Sequence, residues 1–215
     1  MDDRFPKYLR FFVSKLSFIS LPNMGILIAG LAILGFVGQS LLGAPLERFL
    51  FDPELFMAGE YWRVFAFPTL NDPLWLLFFV LYVYFIFGML ESSWGEAPTT
   101  LYTLLSYLAA LGASFFAGQP LSIWTSVIEN ISLAFGTLFP EMEFYLFFIL
   151  PVKAKWLAAL AGALFFYQFL TGSWEMKVFL LIMLSPYLFF FGPVLGKLIR
   201  GKIRVMRNRK RFGGD

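Results

Sequence analysis

Few residues of this chain could take part in chemistry, and the most unusual are Glu129 and Asn130, which interrupt a long apolar stretch. An ionised carboxylate at the centre of a bilayer costs about 2.5–3.5 kcal/mol on insertion scales, so Glu129 in a membrane helix should face other helices or water. Two interpretations follow. In the functional one, Glu129 is a polar contact for another protein's helix or a protonatable group. In the structural one, it is a core carboxyl group hydrogen-bonded to Gln168 or to a tyrosine.

A second polar group, Glu60, Trp62 and Arg63, lies in the aromatic segment EYWRVFAFPTL at positions 60–70. These residues suit a membrane interface, with the indole among the headgroups and the guanidinium bonded to loop carbonyls or to Glu60. A compatible interpretation is a scaffold that shapes a lateral opening in the bundle and thins the nearby lipid.

Two residue types are missing from the chain, and their absence excludes many classes of site. There is no cysteine and no histidine. Disulfides, thiolate metal sites, covalently attached haem and cysteine nucleophiles are therefore excluded, as are imidazole bases and zinc motifs that require histidine. We expect no metal site and no cofactor.

The remaining nucleophiles are hydroxyl groups such as Thr125, in the run SIWTSV, and Ser132, in NISLAFG. A hydroxyl without an adjacent base is a poor nucleophile. A serine–lysine pair would need a lysine in the bundle, but we place all three candidates at interfaces: Lys153, Lys155 and Lys177. We therefore predict that the chain is not an enzyme and has no catalytic residue.

The elements that position these residues are membrane helices. Of the 215 residues, 59% are hydrophobic and the mean hydropathy is +0.73, which indicates a multispanning membrane protein. A span needs about 20 apolar residues. We predict an all-α integral membrane fold of six transmembrane helices. The charge-free stretches are 16–46, 73–90, 97–128, 156–174 and 178–196. The third is too long for one helix and divides at 118–120 into helices of about 98–117 and 124–139, which brings the count to six.

Basic residues indicate the orientation. Fourteen lysines and arginines fall in the N-terminal arm, the connection after helix four and the tail, against three on the opposite side, which places both termini in the cytoplasm. We divide the chain into a basic arm (1–20), a six-helix membrane domain (21–199) and a basic tail (200–215). The tail should bind anionic lipid, or alternatively dock an acidic cytoplasmic factor; nucleic acid is not expected. The expected location is a bacterial inner membrane.

Two connections are more than simple turns. Residues 44–73 alternate charged and aromatic side chains, which suits a long interfacial loop between helices one and two. The segment 141–155 contains an apolar run too short to span, so we place it along the cytoplasmic interface, with Lys153 and Lys155 extending to the headgroups.

Four pieces of the chain, in order, resemble the rhomboid superfamily of intramembrane serine proteases and their inactive relatives, among them the Derlins. GEYWRVFAFPTL (59–70) resembles the family's Trp-Arg loop segment, and GMLESSWG (88–95) resembles the end of its helix two. FPEMEFYLFFILPVKAKW (139–156) is similar to the segment after helix four. GPVLG supplies the GxxxG of helix six through Gly192 and Gly196, which we expect to bring that helix close to helix four.

The resemblance implies a serine–histidine dyad and two polar helpers on helix two, and the positions that match them carry other residues. The serine position falls near Thr125, with Ser132 as a competing placement, and the histidine position at Phe189. The helper positions fall near Trp75 and Phe79. The resemblance therefore implies a rhomboid-like fold without its catalytic groups.

By resemblance to inactive rhomboids, the expected function is a pseudoprotease that binds transmembrane segments of client proteins in membrane-protein quality control or trafficking. The expected partners are client membrane proteins and a membrane protease or chaperone that receives them. The alternatives are a structural or assembly subunit of a membrane complex and, third, an intramembrane serine protease with an unconventional site.

Overall fold

A computed structural model describes residues 7–43, 45–65, 67–68, 70–146 and 150–212. The described chain is helical apart from one antiparallel strand pair and its connections. Its helices are α1 (Lys7–Lys15), α2 (Met24–Leu42), α3 (Pro53–Met57), α4 (Pro73–Trp94), α5 (Glu96–Ala117), α6 (Ile123–Leu138), α7 (Ala154–Thr171) and α8 (Trp174–Phe212); its strands are β1 (Glu143–Leu146) and β2 (Leu150–Lys153).

Each of the six predicted apolar segments forms a helix, α2 and α4 to α8. Four of them, α4, α5, α7 and the Trp174–Pro193 part of α8, are long and apolar enough to cross a membrane. The chain is therefore a membrane protein. Helix α2 has 19 residues, of which Met24–Ser40 form an apolar stretch, and α6 has only 16 residues, or about 24 Å. Membrane crossing by these two stays a prediction.

Helix α6 lies inside the bundle, where it contacts α4, α5, α7 and α8, while α2 packs on α4 and α5 packs along α8. The buried positions of α6 include Val127, Ile131, Ala134 and Phe135. An aromatic cluster of Trp94, Tyr102, Phe190 and Phe191 fills the space between α4, α5 and α8, with ring centroids 5.0–6.2 Å apart.

The predicted close approach of the last helix at Gly192 is wrong. A Cβ placed on Gly192 would meet nothing within 4 Å. The neighbouring rings of Phe190 and Phe191 fill the space towards α5, so this part of α8 packs through aromatic side chains. Gly196 lies one turn further along α8.

Glycine permits close backbone approach elsewhere. A Cβ on Gly136 of α6 would overlap the Cβ of Ala158 on α7 and lie 3.1 Å from the Ala154 carbonyl oxygen. A Cβ on Gly25 of α2 would lie 2.9 Å from the Val83 carbonyl oxygen of α4. Small residues thus bring α6 to α7 and α2 to α4.

The location of segment 141–155 along the cytoplasmic interface stays a prediction. The segment forms the β1–β2 hairpin, in which Glu143 pairs with Lys153 and Leu146 with Leu150. Its aromatic and branched residues favour a strand over a helix. Residues 147–149, between the two strands in sequence, lie outside the described part of the chain.

Lys153 and Lys155, whose extension to the headgroups stays a prediction, both bind Glu141. Their ammonium groups lie 2.7 and 2.6 Å from its two carboxylate oxygens. Hydrogen bonds from these ammonium groups lower the pKa of the Glu141 carboxyl to about 2, and the same carboxylate raises the pKa of Lys153. The cluster therefore stays ionised at neutral pH and joins the turn after α6 to the start of α7.

The long connection before α4 is ordered through much of its length. It contains two 3-10 segments, Leu46–Phe49 and Tyr61–Phe65, with α3 between them. Phe51 is fully buried, and its backbone exchanges two hydrogen bonds with Leu121, of 3.1 and 2.9 Å. This bridge ties the connection to the residues that precede α6.

Candidate functional site

A polar stripe runs along one face of α6 and continues from the residue that precedes it. Ser122, Thr125, Glu129 and Ser132 are spaced by three, four and three residues, which places them on one side of a helix. All four line cavities. The stripe is therefore the candidate site.

The largest of these cavities has a volume of about 490 Å³ and lies between α6, α7 and α8. The polar stripe forms its wall on α6, and α8 closes another side with Phe179, Leu180 and Met183. Helix α7 contributes Ala161, Leu164, Phe165 and Gln168. Most of the lining is apolar, so the stripe supplies most of the polar atoms.

Two smaller cavities extend along the same face of α6. One, of about 240 Å³, lies between α6, Phe79 of α4 and the segment before α4, and it shares Glu129 with the large cavity. The other, of about 210 Å³, lies between α4, α6 and α7 and includes Tyr82 and Ala158. Ser132 lines all three cavities.

Helices α4 and α7 flank this face without closing it. Each packs against α6, but they are not among the described helix pairs that pack extensively together. Large apolar side chains on both helices point outward, including Leu77 and Leu81 on α4 and Leu160 and Leu164 on α7. In a membrane protein such surfaces face lipid or another protein. The result is a groove between α4 and α7 with the polar face of α6 as its floor.

The Glu129 side chain is exposed on this face of α6. Among the described residues its side chain has no hydrogen-bond or ion-pair partner, and Gln168 lines the same cavity without bonding to it. The predicted hydrogen bond from Glu129 to Gln168 or to a tyrosine is therefore not formed. The carboxyl group faces the two cavities that it lines.

Asn130 has a different role from its neighbour. It is 2% exposed, and its side-chain amide donates to the carbonyl oxygens of Ser126, at 3.2 Å, and Met183 of α8, at 3.0 Å. The Tyr102 hydroxyl donates to the Asn130 carbonyl oxygen at 2.9 Å. Asn130 thus joins α6 to α5 and α8.

The hydroxyl groups of the stripe are already hydrogen-bonded. The Ser132 hydroxyl donates to the Ile128 carbonyl oxygen at 2.6 Å, so the Tyr82 hydroxyl, 2.5 Å away, donates to Ser132. Thr125 and Ser122 share a hydrogen bond of 2.9 Å. The Ser132 hydroxyl is thus bonded to a backbone carbonyl oxygen and to a tyrosine hydroxyl.

The positions inferred from the rhomboid resemblance separate into two groups. Thr125 and Phe79 lie together in the cavity that contains Glu129. Trp75 is 67% exposed and packs edge-on against Phe78, outside the described cavities. Phe189 is 41% exposed and also lies outside them, because α8 turns Phe190 and Phe191 inward. The structure therefore does not bring Phe189 or Trp75 to the groove.

The loop residues form a separate cluster. Arg63 is 6% exposed; its Nε lies 2.6 Å from a Glu60 carboxylate oxygen, and its Nη1 donates to the Leu50 carbonyl oxygen at 3.0 Å. Both contacts predicted for the guanidinium are present. Trp62 points outward. The Tyr107 hydroxyl of α5 donates to the Val64 carbonyl oxygen and fixes the segment to the bundle.

Sequence reasoning missed the stripe as a unit, although its spacing of three, four and three residues was a readable signal. It also missed Tyr82, for which the sequence offers no signal because its partner is on a different helix. Within the described residues, no group of three or more acidic side chains could hold a metal ion.

Comparison with known proteins gives no assignment: no family model, curated protein or solved structure matches this chain.

Proposed function

We propose that this chain is a non-proteolytic, rhomboid-like membrane protein that binds transmembrane segments of client proteins. The observation that carries the proposal is the groove between α4 and α7, which exposes a polar face of α6. A client helix with a polar or unstable face would replace its contacts with lipid by contacts with the polar face of α6, and would gain hydrogen bonds there. Such binding serves quality control or trafficking, with delivery of the client to a membrane protease or chaperone.

The arrangement of the helices supports the rhomboid-like part of the proposal. Six apolar helices follow in the expected order, a structured connection with a buried Arg63 precedes the second, and the short fourth lies inside the bundle. In this arrangement all six cross a bacterial inner membrane, both termini are cytoplasmic, and the basic tail lies on anionic lipid.

The absence of a base supports the non-proteolytic part. The chain has no histidine. Lys153 and Lys155 are paired with Glu141 at the end of α6, and Lys177 does not line any of the three cavities on the α6 face. The Ser132 and Thr125 hydroxyls are bonded to other groups. Among the described residues, neither hydroxyl is hydrogen-bonded to a lysine or to a carboxylate.

Photo-crosslinking in the native membrane tests the proposal. A photoreactive residue would replace Phe79 or Leu164, which line cavities on the polar face of α6 from α4 and α7, or Leu34, an exposed control position on α2. We expect several different membrane proteins, attached through their transmembrane peptides, from positions 79 and 164 but not from position 34.

Two results would contradict this expectation. Lipid adducts alone at positions 79 and 164 would exclude client binding. A single partner, captured in constant ratio from all three positions, would instead favour a fixed subunit of a membrane complex.

A further inference from the structure

We infer that the groove selects client helices that carry a basic side chain, with Glu129 as the group that binds it. This inference rests on the proposed function and specifies the chemical class of its client. It follows from three observations on the described residues: the position of Glu129, the lack of a countercharge around it, and the size of the adjoining cavity.

Glu129 is placed to meet a group that enters from either side of α6. It lines both the cavity between α6, α7 and α8 and the cavity next to Phe79 of α4. Its side chain is exposed, whereas Asn130, the next residue, is buried among backbone carbonyl groups. The carboxyl group is therefore the acidic group available at the floor of the groove.

The described surroundings of Glu129 supply no positive charge. Neither cavity that it lines includes a lysine or an arginine among its described residues, and its carboxyl group has no bonded partner among them. A carboxylate in a mainly apolar site is stabilised chiefly by pairing. A basic residue in the membrane helix of a client has the same requirement, so pairing would relieve both.

The cavity of about 490 Å³ between α6, α7 and α8 has room for a long side chain. A client helix would lie in the groove and insert one side chain into this cavity. Oxygen atoms of Ser122, Thr125 and Gln168 line the same cavity and could accept further hydrogen bonds from an ammonium or guanidinium group.

The test uses the purified full chain in phosphatidylcholine vesicles, with a photoreactive residue at position 79. The probes are synthetic leucine–alanine helices of about 20 residues, identical except for a central arginine, leucine or glutamate. We expect the arginine probe to be captured about threefold to fifteenfold more than the leucine probe, the range that interhelical hydrogen bonds produce in membranes.

Variants at position 129 identify the group responsible. Glu129→Gln should abolish the preference for arginine, whereas Glu175→Gln, a matched change outside the cavities that Glu129 lines, should keep it. Glu129→Lys should reverse the preference in favour of the glutamate probe. Retention of the arginine preference in Glu129→Gln would overturn the inference.

The wild-type measurements separate failure of this inference from failure of the proposed function. Equal capture of arginine and leucine probes, above the level at control position 34, would overturn charge selection and leave helix binding intact. Capture no greater than at position 34 for every probe would overturn both. These comparisons need no variant at position 129, so they decide the question even if such variants fold poorly.

Discussion

At the scale of single residues, Arg63 and Glu129 differ in whether other residues pair with their charge. Arg63 is buried in the connection before α4, but Glu60 and the Leu50 carbonyl oxygen satisfy it. Glu129 lies in the bundle, and no described residue pairs with it. Removing one partner of a buried ion pair is strongly destabilising, whereas an exposed carboxylate without a partner is available to pair with an incoming cation.

The Arg63 contacts can be tested by removing the guanidinium. Arg63→Ala should lower the free energy of unfolding by about 2–4 kcal/mol, because it leaves Glu60 and a loop carbonyl without their donor. The loss should fall below that for a fully buried pair, since the Glu60 side chain is 33% exposed. Unfolding of the purified protein in mild detergent, followed by circular dichroism, measures the change.

Arg48→Ala is the matched control, since Arg48 is an exposed arginine of the same connection. Its substitution should change the stability by less than about 0.5 kcal/mol. Equal losses for the two variants would show that the guanidinium contacts of Arg63 do not stabilise the connection.

At the scale of elements, the contact between α6 and α7 determines the shape of the groove. The two helices approach most closely where Gly136 meets Ala158, near the hairpin. Towards the other end of α6, the largest cavity opens between Ser122 and Gln168. Helix α7 is thus held at one end by small residues and separated from α6 at the other.

Gly136→Ala should force α6 and α7 apart, because the added methyl group has no room beside Ala158. We expect a loss of about 1–3 kcal/mol in unfolding free energy, typical of overpacking. Detergent unfolding and the yield of a disulfide engineered between α6 and α7 report the change.

Two glycines provide controls for the Gly136 variant. Gly192→Ala and Gly162→Ala add a methyl group where nothing lies within 4 Å, so they should be neutral or stabilise by up to about 1 kcal/mol through helix propensity. The pair Gly136→Ala with Ala158→Gly should recover much of the lost stability. A large loss for Gly192→Ala would instead restore the sequence-based role of that glycine.

At the scale of the whole molecule, the six apolar helices differ in length. Four are long and apolar enough to cross a membrane and α2 has 19 residues, whereas α6 has only 16. The α6 helix is buried among α4, α5, α7 and α8, and a helix surrounded by protein need not match the full bilayer thickness. We therefore expect six crossings, with α6 short because it lies within the bundle.

Single cysteines test this topology directly, because the chain contains none. Asn71→Cys and Gln119→Cys should react with a membrane-impermeant maleimide from one face of oriented vesicles. Ser93→Cys and Glu143→Cys should react only from the other. All four positions are exposed. Labelling of positions 119 and 143 from the same face would show that α6 does not cross.

Sequence alone predicted the elements well. The six apolar segments, the breaks at Gly118 to Pro120 and the start of α4 at Pro73 follow from local composition and turn residues. At Asp72, for example, the side chain accepts hydrogen bonds from the backbone of Leu74 and Trp75, a cap that depends on adjacent residues. The exclusion of histidine and cysteine chemistry likewise required only the residue types.

The predictions that failed, the close approach at Gly192 and the bond from Glu129 to Gln168 or a tyrosine, depend on contacts between distant parts of the chain. The open space beside Gly192 and the outward position of Phe189 could not be read from local sequence. The β1–β2 hairpin joins residues at most ten positions apart, and its aromatic and branched residues were a readable local signal. Within the site, the spacing along α6 could have revealed the stripe. The sequence could not show that Tyr82 of α4 satisfies Ser132 while no described residue satisfies Glu129.

The sequence by itself determined that this is a helical membrane protein without histidine or cysteine chemistry, because transfer of a segment into lipid depends on its own composition. Only the tertiary structure decided which helix faces meet. That outcome depends on side-chain volumes on both partners, as at Gly136 and Ala158, where small residues bring α6 and α7 together near the hairpin. The polar floor of the groove is a product of this packing.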